Sequence, residues 1–176
     1  LVELVNVHDP GLEFEPIHRV LFDVDAEALL AGLGEFCAAK DATVTLHRCA
    51  DRVELAARQA TETGDNKHLI PFVDATGCGL LVVENPAFHL TVATLQSYLD
   101  VYLEKNVKAR IDYIHGDEPV TRLGSQPGNI GFYLPAISKH DLFKTIILDG
   151  ALPRKTFSMG EADEKRFYLE CRKIIE

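Results

Sequence analysis

Residues 15–22, Glu15-Pro16-Ile17-His18-Arg19-Val20-Leu21-Phe22, place an imidazole and a guanidinium side by side where a loop turns into an apolar run. Pro16 fixes its own backbone φ just before the pair, and the apolar residues that follow favour a β-strand. Two neighbouring cationic donors at a sheet edge suit an anionic ligand. The stretch therefore predicts a core strand and, at its start, a candidate anion site.

Two interpretations of His18 and Arg19 stay open at this point. Adjacent residues of a strand point to opposite faces, so both side chains can contact one ligand only if the strand begins after them. Alternatively, Arg19 pairs with Glu13 or Glu15 and His18 is a hydrogen-bonded structural residue.

Outward from this stretch, the hydrophobic period switches repeatedly between two and about three and a half, which is typical of α/β or α+β proteins. Strands are predicted at residues 1–7, 17–22, 43–46, 69–73, 80–83, 110–115 and 131–134. Helices are predicted after the capping residue Asp25, around residues 53–60, at 91–105, from 117 onward and at 139–148. We expect one domain over residues 1–176, with a mixed β-sheet and helices packed against it.

Further expectations concern two of the predicted helices and the closing segment. In the predicted helix at 139–148, Leu142, Phe143, Ile146 and Ile147 should pack inward. Thr91 should cap the helix predicted at residues 91–105. The pattern does not fix the state of the closing segment, residues 165–175.

The composition describes a globular chain with a net negative charge. Of 176 residues, 47% are hydrophobic and 26% charged, and 18 basic against 27 acidic residues give a net charge of −9. A chain of this size can bury a sizeable core. Its charge repels polyphosphate backbones, so we do not expect nucleic acid as a partner.

Cysteine usage and apolar runs bear on location. The four cysteines, Cys37, Cys49, Cys78 and Cys171, show no C-x-x-C spacing, so we expect neither a zinc knuckle nor a secreted disulfide framework but a cytoplasmic protein. No apolar run approaches the roughly 20 residues of a spanning helix, and no membrane partner is expected. Because the sequence opens directly on an apolar alternating run, we expect a carboxy-terminal fragment of a longer protein.

A second candidate anion site is the loop Arg154-Lys155-Thr156-Phe157-Ser158 that follows Pro153. Two cations and two hydroxyls in a short loop could cradle an oxyanion, although the glycines of a Walker loop are absent. The alternative is a solvated surface loop whose charge is neutralised by acidic residues at 161–164. The pairs His8-Asp9 and His115-Gly116-Asp117 lack a recognisable metal-ligand set, so no metal site is predicted.

Three stretches carry a resemblance to a known family. They are residues 2–6 followed by Pro16-Ile17-His18-Arg19, then Ile111-Asp112-Tyr113-Ile114-His115, and finally Leu152-Pro153-Arg154-Lys155-Thr156-Phe157. Their order resembles that of the carboxy-terminal half of the uncharacterised bacterial and archaeal domain-of-unknown-function family 1015. The amino-terminal half of that family carries an Asp-Gly-(His/Asn)-His-(Arg/Ser) element similar to the nucleotide pocket of ParB and sulfiredoxin-type proteins, and some members are labelled partition-like.

The resemblance implies a prokaryotic protein and motif positions rather than an established reaction. The Asp-Gly element is absent here, and so is the second Pro-Lys that usually follows the last motif. The candidate set for a nucleotide or phosphate is His18, Arg19, Tyr113, His115, Arg154, Lys155 and Thr156.

Two functional hypotheses follow. In the first, this half of a longer protein binds a nucleotide or phosphate together with the missing upstream half, and any chemistry is phosphoryl or nucleotidyl handling stabilised by fixed positive charge. In the second, the chain is a non-catalytic scaffolding or homo-oligomerising domain, with residues 80–83 in an exposed or shared sheet. The sequence contains no complete catalytic motif and specifies no cofactor.

Overall fold

A computed structural model of the protein describes residues 6–159 and has seven strands and five helices in that range. The strands are β1 (Phe14–Phe22), β2 (Thr43–Cys49), β3 (Lys67–Asp74), β4 (Gly77–Glu84), β5 (Arg110–His115), β6 (Asn129–Phe132) and β7 (Phe157–Met159). The helices are α1 (Ala26–Ala38), α2 (Arg52–Thr61), α3 (Thr91–Lys105), α4 (Asp117–Gly124) and α5 (Leu142–Asp149). None of these helices is long and apolar enough to cross a membrane.

The seven strands form one sheet in the order β2-β4-β3-β6-β1-β5, with β7 paired to the first residues of β1. The predicted α/β or α+β class is confirmed. Within residues 6–159, however, every pairing is antiparallel, where a mixed sheet was expected. The hydrophobic pattern of a strand does not encode its direction, which depends on the connection leading into it. Between β3 and β4 that connection is the two-residue turn Ala75-Thr76.

Helices α1 and α3 cover one face of the sheet. Asp25 caps α1, as predicted, by accepting a hydrogen bond from the Ala28 amide at 3.1 Å. The buried side chains on this face include Leu21, Leu29, Leu33, Ile70, Phe72, Leu81, Leu95, Leu99, Ile130 and Phe132. Because Leu21 belongs to this cluster, the odd-numbered residues of β1 face α1 and α3.

Helices α2 and α4 cover the opposite face. Leu55 of α2 packs with Leu80 and Val82 in a second, smaller cluster. A Cβ added to Gly131 would lie 2.8 Å from Cγ1 of Val120 in α4, so glycine is required for the helix to lie this close to the sheet. The even-numbered residues of β1 face this side.

Helix α5 differs from its prediction in orientation. Phe143, Ile146 and Ile147 are 60%, 40% and 81% exposed, whereas Thr145 is buried at 5%. Their predicted inward packing was therefore wrong, and Leu142 is only half-buried. An apolar stripe indicates which residues share a helix face, but it does not show that another part of the same chain covers that face.

The remaining differences are smaller. Residues 80–83 are buried within β4, which lies between β2 and β3, so these residues do not form the exposed or shared sheet suggested for a scaffolding domain. Thr91 is the first residue of α3, and Leu90 occupies the cap position without a side-chain hydrogen bond. Most of the strand predicted at residues 1–7 and all of the segment at 165–175 lie outside the described residues.

Candidate functional site

His18 and Arg19 both lie inside β1, which begins at Phe14. The strand therefore does not start after them, and their side chains point to opposite faces of the sheet. His18 faces α4, and Arg19 faces α3. The structure separates the two residues that the sequence places together, and each has its own set of partners.

Arg19 is fully buried and bonded to neutral acceptors. Its Nε donates to Gln96 Oε1 at 2.9 Å, Nη1 to the Ile17 carbonyl at 2.6 Å and Nη2 to the Arg154 carbonyl at 3.2 Å. The sequence-based pairing with Glu13 or Glu15 is not present. Burial lowers the pKa of Arg19 to about 10, because removing a cation from water disfavours its charged form.

A tyrosine ring lies between two arginines. Tyr113 is directly opposite Arg19 in the β1–β5 register, and its ring centroid is 4.7 Å from Arg19 Cζ and 5.9 Å from Arg154 Cζ. Tyr113 Oη is buried and makes no hydrogen bond of ordinary geometry with residues 6–159. It nevertheless lies near enough to the Arg154 guanidinium that Tyr113, together with Asp100, raises the pKa of Arg154.

Two residues of α3 connect these arginines. Asp100 Oδ1 accepts from Gln96 Nε2 at 2.8 Å and from Arg154 Nη2 at 2.9 Å. We call Arg19, Gln96, Asp100, Tyr113 and Arg154 the arginine–tyrosine cluster. Sequence reasoning missed Gln96 and Asp100, although Gln96 follows Leu95 on the inward face and a buried polar residue there requires a partner.

The loop at residues 153–156 supplies the outer part of the site. Lys155 is exposed, has φ of +53° and makes no ion pair with a residue in the described range. The Thr156 hydroxyl is buried and donates to the Pro153 carbonyl, so it holds the loop rather than facing solvent. His115 lies half-buried at the end of β5, opposite Ile17 and on the same face as Tyr113.

A groove lies between α3 and this loop. Its volume is about 660 Å³, and it is lined by Gln96, Asp100, Leu103, Glu104, Pro153 and Arg154. One wall therefore carries two carboxylates and the other a guanidinium. Such a groove can accept an anionic group on one side and hydrogen-bond donors on the other.

On the opposite face, the buried side chain of His18 is hydrogen-bonded to Asp117, whose side chain is 68% exposed. The Leu134 amide donates to His18 Nδ1 at 3.0 Å, so the proton of the neutral ring lies on Nε2, which donates to Asp117 Oδ1 at 3.0 Å. Burial lowers the pKa of His18, opposed by the nearby Asp117 carboxylate. This neutral tautomer positions the start of α4 and leaves His18 no free nitrogen for a ligand.

A family model described as "Protein of unknown function (DUF1015)" matches residues 1–102, more than half of the chain. The chain belongs to this family. No curated protein and no solved structure matches it. The range matched by the DUF1015 model contains Arg19, Gln96 and Asp100, whereas Tyr113 and the 153–156 loop lie beyond it.

The buried histidines predict that this DUF1015 member loses stability in mild acid. Burial lowers the pKa values of His18 and His68 below 6.5, so below that pH the unfolded chain binds more protons than the folded one. The free energy of unfolding should fall as the pH is lowered from 7.5 to 5.5. Urea titrations at several pH values measure this dependence.

The His18→Asn variant measures how much His18 contributes to this pH dependence, because the asparagine oxygen can still accept a hydrogen bond from the Leu134 amide. We expect a loss of about 1–3 kcal/mol at pH 7.5 and a shallower pH dependence, since the hydrogen bond to Asp117 and the titrating group are both removed. The exposed His140→Asn is the control. An unchanged pH dependence in His18→Asn would contradict this assignment.

Proposed function

We propose that this chain binds a nucleotide, or another small phosphate-containing anion, at the arginine–tyrosine cluster and the adjoining 153–156 loop. One observation carries the proposal: Arg19 and Arg154 both stack on Tyr113, while the only carboxylate in the described residues that forms an ion pair with either is Asp100. The cluster therefore has an excess of positive charge in a chain of net charge −9. An anion would offset that excess.

The two arginines have different roles in this proposal. Arg19 has no exposed surface and is a positioning residue, since its Nη2 holds the Arg154 carbonyl and so fixes the loop backbone. The Arg154 side chain is 62% exposed, and Lys155 projects from the same loop. The planar Arg154 guanidinium can form two parallel hydrogen bonds to a phosphate, and Lys155 adds a point charge.

The charges of the groove favour a nucleotide over inorganic phosphate. A phosphate at Arg154 and Lys155 would leave the sugar hydroxyls or base amino groups to face Asp100 and Glu104 across the groove. Carboxylates are common acceptors for ribose hydroxyls. The proposal includes a cytoplasmic, prokaryotic setting.

Calorimetric titration of the protein with ATP, CTP, pyrophosphate and inorganic phosphate tests the proposal. We expect nucleotides to bind more tightly than inorganic phosphate, and Arg154→Ala and Lys155→Ala each to weaken nucleotide binding roughly tenfold or more. Glu104→Gln should weaken nucleotide binding but leave pyrophosphate binding unchanged. Higher salt should weaken binding of all four ligands.

The matched control is Arg110→Ala. Arg110 also stacks on an aromatic ring, with its Cζ 5.4 Å from the Phe22 centroid, and also pairs with an aspartate, Asp23 at 3.0 Å. It lies outside the cluster, so its loss should leave binding unchanged. Equal affinities in Arg154→Ala, Arg110→Ala and the wild type would contradict the proposed site.

The alternative function, a scaffolding or homo-oligomerising domain, has support from α5. Phe143, Ile146, Ile147 and Leu148 expose 40% to 81% of their surfaces, although Asp149 anchors the helix by accepting from the His89 amide at 2.7 Å. Lys144 is the only charged side chain among residues 142–148. In this alternative the helix binds a second copy of the chain, because two copies of a weakly charged apolar surface meet with little repulsion.

Light scattering at several protein concentrations tests this alternative. We expect a mass that rises with concentration, and Ile147→Glu should abolish the rise because it places a charge in the apolar surface. Val107→Glu is the control, since Val107 is an isolated apolar residue that is 90% exposed. A monomer at all concentrations would exclude the second copy as the partner of α5.

A further inference from the structure

Cys49 and Cys78 are brought together by the β2–β4 pair. They are separated by α2 and β3 in sequence, yet the register places them directly opposite each other in this antiparallel pair. Residues opposed in this way project from the same face of the sheet. Cys78 Sγ lies 3.8 Å from the Cys49 carbonyl, and both cysteines contact the cluster that contains Leu80 and Val82.

We propose that Cys49 and Cys78 are a redox site, which a small-molecule disulfide such as oxidised glutathione converts into a reversible cross-strand disulfide. Directly opposed residues of an antiparallel pair have Cα atoms about 4.5–5.5 Å apart, within the range found for disulfides. Their Cβ atoms are also about 4.5–5.5 Å apart, slightly more than disulfides favour. The strands must move closer by a fraction of an ångström to about one ångström, which makes the bond strained and easily reduced.

The accessibility of the two sulfurs sets the order of the steps. Cys78 is partly exposed, whereas Cys49 is only 8% exposed. The Cys78 thiolate attacks one sulfur of oxidised glutathione, forming a mixed disulfide and releasing one glutathione thiolate. The Cys49 thiol then loses its proton and attacks the Cys78 sulfur, which expels the second glutathione. Two protein thiols and one oxidised glutathione thus give one protein disulfide and two molecules of reduced glutathione.

The surroundings predict a slow reaction that accelerates as the pH rises. Burial raises the pKa of Cys78, the nearby Cys49 and Asp51 add to this effect, and Arg52 opposes it more weakly. Only the thiolate reacts, so the rate should increase with pH across the neutral range. The site therefore responds to sustained oxidation rather than to brief exposure.

The proposed bond would fix an edge of the sheet. In the described part of the chain β2 pairs only with β4, and a bond between residues 49 and 78 closes a loop that contains α2 and β3. Closing a loop of this length restricts the unfolded chain. Oxidation should therefore raise the midpoint of thermal unfolding by roughly 5–10 °C. Strain in the disulfide would reduce this increase.

Incubation of the whole protein with oxidised glutathione, followed by peptide mapping without reduction, tests the proposal. We expect a peptide pair joined through Cys49 and Cys78, and its loss on adding excess reduced glutathione. Cys49→Ser should instead accumulate the mixed disulfide at Cys78, because the attacking second thiol is absent. Cys78→Ser should react far more slowly, since Cys49 is buried.

Controls separate this outcome from general thiol oxidation. Cys37, which is 3% exposed in the main core, should remain reduced in the same maps. Circular dichroism of the serine variants establishes that each is folded. If the wild type accumulates the Cys78 mixed disulfide without the joined peptide pair, or if neither forms at pH 8.5 in folded protein, the proposal is wrong.

Discussion

The buried guanidinium of Arg19 joins three parts of this protein that are distant in sequence. It donates to Gln96 of α3, to the Ile17 carbonyl of its own strand and to the Arg154 carbonyl of the 153–156 loop, while its Cζ lies over the ring of Tyr113 in β5. Removing a cation from water costs several kcal/mol unless its donors find partners. The loop and α3 are therefore held where those acceptors are needed.

Because successive side chains of β1 point to opposite faces of the sheet, His18 and Arg19 lie in separate environments. Arg19 belongs to the face with the groove and the exposed Arg154, and His18 belongs to the face where it is bonded at both nitrogens. In the proposed function, a ligand in the groove would be recognised by the arginine, lysine and carboxylate groups of this face and would not contact His18.

Much of the secondary structure could be predicted, because the period of apolar residues is a local property of the chain. Strands β3 and β4 and helix α1 with its Asp25 cap followed from such patterns. The order and direction of strands depend on distant pairings, so the antiparallel sheet and the opposition of Cys49 and Cys78 were not predictable. The exposure of the apolar face of α5 was not predictable for the same reason, because an amphipathic pattern does not show what, if anything, covers the apolar face.

The candidate site was predicted in part. Arg19, Tyr113 and Arg154 do converge, as the motif positions suggested. His18 does not join them, because the strand extends further toward the amino terminus than its apolar run indicates. Gln96 and Asp100 were missed because their roles depend on which face of α3 meets Arg19, a contact between residues far apart in the chain.

Arg19 holds the 153–156 loop against the sheet, and hydrogen exchange of an Arg19→Lys variant tests this role most directly. Lysine keeps the charge but cannot bond three acceptors in one plane. We expect amide exchange in β7, which directly follows the loop and pairs with β1, to accelerate by about tenfold or more, the equivalent of one charge-assisted hydrogen bond, while the β3–β4 hairpin retains its protection. Unchanged exchange of β7 in a folded Arg19→Lys protein would contradict this role of Arg19.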